Sequence, residues 1–124
     1  MEAGFVVVAV ADRALRRILT LWLRDAMPDW DVRAADHAEP GEVIVATPFD
    51  LSAAAAAELA LRNVRVVILA PMPRSEERER YALAGAAYVA MSFDRTRALE
   101  NAIAEAAQVP PVLPGGATVR GARS

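Results

Sequence analysis

The sequence predicts an α/β domain built on a parallel sheet with helices on both faces. Two observations carry this. Short, continuous, β-branched runs recur along the chain, which is how strands buried on both faces read. Stretches with apolar residues at helical spacing separate them, and strand–helix alternation implies βαβ units. A length of 124 residues suits one domain with one core, and 55% apolar residues place it among globular chains.

Phe5 to Val10 is the first strand. Asp12 can cap the helix that follows, where Leu15, Ile18, Leu19, Trp22 and Leu23 form an apolar stripe between Arg13, Arg16, Arg17 and Arg24. Pro28 marks its end. Trp30 to Ala35 alternates weakly, as an edge strand does, and Val43 to Thr47 is a buried strand closed by Pro48. An alanine-rich helix runs from Ser52 to Arg62, capped by Asp50 or Ser52 and stopped by Asn63. Val64 to Ala70 is the next strand. Ser75 is placed to cap a helix with Glu76 and Glu77 in its first turn, the favourable end for acids, and Gly85 ends it. Tyr88 to Met91 is the last strand. Asp94 is expected to cap a final helix with Ala98, Leu99, Ala102, Ile103 and Ala106 facing inward and Arg95, Arg97, Glu100 and Glu105 facing outward. The domain is expected to span residues 1–107, and the proline- and glycine-rich segment 108–124 reads as a flexible tail.

Composition narrows the chemistry. The chain has no cysteine, which removes thiol catalysis, disulfides and Cys-ligated metals. It has no lysine either, so a Schiff-base or P-loop lysine is impossible. His37, the single imidazole, sits in a polar turn and reads as solvated; it excludes multi-histidine metal sites. A net charge of -2 argues against a general grip on nucleic acid or anionic membrane. With no basic segment ahead of the short N-terminal apolar run, the chain reads as cytoplasmic. No G-x-G-x-x-G follows the first strand and no G-x-S-x-G elbow occurs, which disfavours a dinucleotide enzyme and a hydrolase.

Five β/α steps in this length fit the flavodoxin-like doubly wound order 2-1-3-4-5. Val66-Val-Ile-Leu-Ala-Pro71, an acid-rich helix, then Ala84-Gly-Ala-Ala-Tyr88 resembles the second half of a bacterial response-regulator receiver domain (CheY-like). The apolar first strand opening an Arg- and Leu-rich helix agrees, and the resemblance covers about residues 5–107. It departs in one place: residues 36–41, with Pro40 inside, leave no room for the family's second helix, so either that helix is lost or residues 30–35 are not a strand.

The resemblance implies a phosphorylation pocket whose working residues are missing. The family's metal-binding acid pair falls on Ala11 and Asp12, its phospho-accepting Asp on Thr47, its hydroxyl on Ala70, and its lysine on Met91 or Ser92, with Met91 the better register. Asp12 alone is a poor Mg²⁺ site and reads first as a helix cap. Asp50 lies three residues past the acceptor position, beyond Pro48. Phosphoryl transfer needs a nucleophile, charge neutralisation and donors to the phosphoryl oxygens, so the expectation is a degenerate receiver with no enzymatic activity, metal or cofactor. It would signal through protein contacts, including a homodimer, on the surface from the family's fourth helix to its fifth, here Glu76, Arg78, Tyr88, Arg95 and Arg97. The alternative is a metabolite-binding domain using Thr47 and Ser92 at the strand ends.

Overall fold

The computed structural model describes residues 4–92 and 97–108. In chain order the elements are β1 (Phe5–Val8), α1 (Arg13–Ala26), β2 (Asp31–Ala34), β3 (Val43–Ala46), α2 (Ala53–Leu61), β4 (Arg65–Ala70), α3 (Ser75–Leu83), β5 (Ala87–Ala90) and α4 (Ala98–Gln108). The five strands form one sheet in the order β2-β1-β3-β4-β5, all pairs parallel. This is the flavodoxin-like doubly wound arrangement.

The strands are apolar on both sides because both sides are covered. Val6, Val8, Val45, Val67 and Leu69 pack against Leu19 and Leu23 of α1 and Leu99 and Ile103 of α4. Val7, Ile44, Val66 and Ile68 face the other way, toward Ala56 of α2 and Tyr81 of α3. Alternation of the pleat splits each apolar run between these two cores.

The second helix is absent, and residues 30–35 do contribute a strand. Residues 35–42 carry the chain from β2 past β1 to β3 without a helix. The step is about 10 Å across two strand spacings and roughly 13 Å back along a four-residue strand, within reach of a short extended link. The link is pinned at both ends. The Ala35 N–H donates to Val8 O (3.3 Å), the Gly41 N–H donates to Asn63 O (2.7 Å), and a turn closes from the Glu42 N–H to Glu39 O (3.0 Å). Gly41 takes φ +92°, a conformation that favours glycine. Arg33 meets Glu42 at 2.9 Å, and this ion pair lies where a crossover helix would otherwise cover the sheet.

The caps follow the sequence with two corrections. Asp12 caps α1 through the Leu15 N–H (3.0 Å), Ser52 caps α2 through the Ala55 N–H (3.1 Å), and Asn63 stops α2 at φ +67°. Ser75, however, is the first helical residue of α3 and not its cap. Arg74 holds the extended cap position, and its carbonyl accepts the first helical bond from the Arg78 N–H (2.9 Å). The second correction is in α4. Glu100, expected on the outer face, is 6% exposed, whereas Ala98, expected inward, is exposed. The cause is Trp22: its indole N–H lies in the α1–α4 seam and donates to the Glu100 carboxylate at 2.9 Å, so α4 turns a carboxylate inward to receive it. The expected Asp94 cap, Arg95 and the tail beyond Gln108 lie outside the described residues.

Candidate functional site

The C-terminal ends of β1, β3 and β4 meet where open α/β sheets bind ligands. The residues expected there lie at or just past the strand ends. Thr47, just past β3, is 4% exposed, and Ala70, ending β4, is fully buried. Met91 is half-buried and its N–H continues the β5 ladder onto Ala70 O at 2.8 Å. Ala11, Asp12 and Ser92 are exposed. Asp12 spends one carboxylate oxygen on the α1 cap.

The residue that organises this site is Asp50. Pro48 ends β3 and turns the chain, and the Asp50 N–H donates to Thr47 O at 3.0 Å. The turn brings the Asp50 side chain back over the strand ends. One carboxylate oxygen accepts the Ala11 N–H at 3.0 Å; the other accepts the Thr47 N–H at 3.1 Å and the Thr47 hydroxyl at 2.7 Å. The Phe49 N–H donates to the same hydroxyl at 3.2 Å. A half-buried anion thus ties the β1–α1 loop to the β3–α2 loop, using the backbone donors that face this end of the sheet. Sequence reasoning placed Asp50 only as a helix cap or a displaced acceptor. The signal for its true role is the Thr47-Pro-Phe-Asp50 spacing, which suits an Asp closing back on a turn it ends. Among the described residues no three acidic or imidazole side chains converge as a metal site. The Thr47 hydroxyl is turned onto Asp50, and Ser92 is exposed just past β5.

The expected interaction face is only partly assembled. Tyr88, 8% exposed, donates its hydroxyl to the Glu77 carboxylate and accepts the Arg74 N–H at 3.2 Å. Arg78 lies over the Tyr88 ring at 4.9 Å and donates to Tyr88 O at 3.2 Å. Tyr81 stacks on Tyr88 with centroids 5.8 Å apart and donates its hydroxyl to Leu51 O at 2.6 Å. Burial raises the Tyr88 pKa, and the hydroxyl's bond to Glu77 raises it further; burial likewise raises that of Tyr81. Glu76 is exposed beside this cluster. Arg97 belongs elsewhere: its guanidinium donates to Ala26 O at the end of α1 (3.1 Å). Arg74 and Tyr81 were not expected in the cluster. Their tie to Tyr88 depends on how α3 sits on β5, which local spacing does not encode.

No protein-family model and no curated protein matches the chain. Solved structures do. The signal receiver domain of a DNA-binding response regulator from Colwellia psychrerythraea 34H superposes with TM-score 0.65 at 15% identity, over 84% of this chain and 97% of that one. A response regulator from Thermotoga maritima gives 0.62 at 16% identity, over 88% and 100%. A response regulator receiver protein from Burkholderia phymatum gives 0.64 at 17% identity, over 87% and 98%. By sheet order, helix placement and these neighbours, the chain has the fold of response-regulator receiver domains.

Proposed function

We propose that the chain is a receiver-like signalling module that works without phosphorylation, through protein contacts, and is not an enzyme. The observation that carries this reading is the Asp50 carboxylate held by Ala11 and Thr47. In-line attack on a phosphoryl donor needs a carboxylate oxygen presented to solvent and a positive charge to receive the transferred group. Both Asp50 oxygens already accept hydrogen bonds, and the chain has no lysine to offer. The Ala11 and Thr47 N–H groups at the strand ends are satisfied from within.

The contacts of such a module would be made by α3 and β5. There Arg78 and Glu77 are ordered by Tyr88, with Glu76, Glu79 and Arg80 exposed beside them. Intact-mass spectrometry after incubation with Mg²⁺ and acetyl phosphate tests the reading. No added phosphoryl mass is expected; an adduct mapping to Asp50 or Asp12 would overturn it.

A further inference from the structure

Each face of the sheet has an unusual surface near its β2 end. On the side of α1, Arg13, Arg16, Arg17 and Arg24 fall on one flank of the helix at helical spacing. With Thr20 and Ala34 they line a groove of about 420 Å³ that contains no carboxylate. Arg13, Arg16 and Arg17 make no side-chain hydrogen bond or ion pair among the described residues. Ile18 and Leu21 are 52% and 54% exposed beside them. Arg24 donates to Val32 O at 2.9 Å and so covers a backbone acceptor of the edge strand.

On the opposite face the missing crossover helix leaves a groove of about 490 Å³ between the 36–40 link and α2. Ile44, Leu51 and Leu59 lie along it, and Asp36, Glu39, Asp50 and Glu58 outnumber Arg62 among its charged residues. Asp36 and Glu58 are exposed and have no side-chain partner among the described residues. The sheet therefore carries a basic helix flank on one face and an acid-rimmed, helix-deficient groove on the other, the groove bounded by the link that leaves the edge strand.

We propose that these two surfaces are the two halves of one homodimer interface, and that the occupant of the groove is α1 of a second copy. A twofold axis running along the β2 edge, parallel to the strand, turns the groove face of one copy to the side occupied by α1 of the other. Each arginine flank then meets the partner's acidic rim, and the contact is made twice, as a closed isologous interface requires. Ile18 and Leu21 supply the apolar component beside the charges. Arg24 keeps the edge strand itself from extending the sheet. This interface is separate from the α3–β5 surface, so its failure would leave the reading of that surface standing.

Sedimentation equilibrium with charge-reversed variants tests the pairing. Arg13→Glu with Arg17→Glu sets two acids against Arg16 and Arg24 and cancels the charge of the helix flank; Asp36→Arg with Glu58→Arg leaves Glu39 and Asp50 against three arginines and makes the rim basic. All four positions are exposed, and circular dichroism checks that each variant is folded. Wild type is expected to dimerise with an affinity that falls as salt rises. Each variant alone is expected to lose at least about tenfold in affinity, because the attraction is cancelled or reversed in both halves of its dimer. An equimolar mixture is expected to recover the dimer, since a heterodimer pairs the introduced glutamates with the introduced arginines on one side and native surfaces on the other. A wild type that stays monomeric at high concentration and low salt would overturn the proposal. So would a dimer indifferent to both variants, or variants that dissociate but do not recover on mixing.

Discussion

Removing the Asp50 carboxylate should cost the domain a substantial part of its stability. In the Asp50→Ala protein three donors lose their acceptor: the N–H groups of Ala11 and Thr47 and the Thr47 hydroxyl. They are not equally affected. Ala11 is exposed, and water replaces the carboxylate there at little cost. Thr47 is 4% exposed, so its two donors are left largely dry. A hydrogen bond to a charged acceptor contributes about 1.5–3 kcal/mol, and a buried orphaned donor costs about 1–3 kcal/mol. Discounting for the half-exposed carboxylate, the expected loss is about 2–3 kcal/mol against a total of roughly 5–15 kcal/mol for a domain of this kind. At about 4 °C or more per kcal/mol, the melting temperature should fall by roughly 10 °C. Asp50→Asn, which keeps one acceptor oxygen, should lose less. Urea unfolding of the three proteins measures this. An Asp50→Ala protein within about 0.5 kcal/mol of wild type, the range of an unremarkable surface substitution, would refute the idea that this side chain ties the two loops together.

Two further outcomes follow from the buried polar contacts. Trp22→Phe strands the Glu100 carboxylate in the α1–α4 seam and should cost about 2 kcal/mol, while adding Glu100→Leu should recover part of that loss; a double-mutant cycle showing simple additivity would mean the two do not interact. Tyr81 and Tyr88 have pKa values raised above the ordinary 10.0, so folding favours their neutral forms. Their contribution is complete below pH about 10 and is lost as pH rises through the raised folded values, so stability should fall in alkali and not between neutrality and pH 9; unfolding followed across pH 7–12 checks the sign.

Much of the fold was legible because it rests on local signals. The buried strands read as apolar runs, Asp12 and Ser52 as caps, and Asn63 and Gly85 as stops. The missing helix was legible as a shortage of chain around Pro40. The misreadings involved contacts distant in sequence. Glu100 was assigned outward because a charged residue on a helix ordinarily faces water, yet Trp22, 78 positions away, draws it in. Ser75 looked like a cap by type, but Arg74 takes that position, with its N–H fixed by Tyr88 of the neighbouring strand. At the strand ends the sequence offered Thr47, Ala70 and Asp12. It did not show what fills the site, because the bond from Asp50 to the Ala11 N–H spans 39 positions.

Backbone amide shifts report most directly on the proposal that the site at the strand ends takes no phosphoryl group. In ¹H–¹⁵N spectra the Ala11 and Thr47 amides donate to the Asp50 carboxylate, and the Tyr88 amide reports on β5. Addition of Mg²⁺ followed by acetyl phosphate should leave the Ala11, Thr47, Asp50 and Tyr88 amides where they are. Saturable, Mg²⁺-dependent movement of these amides on adding acetyl phosphate would contradict the account.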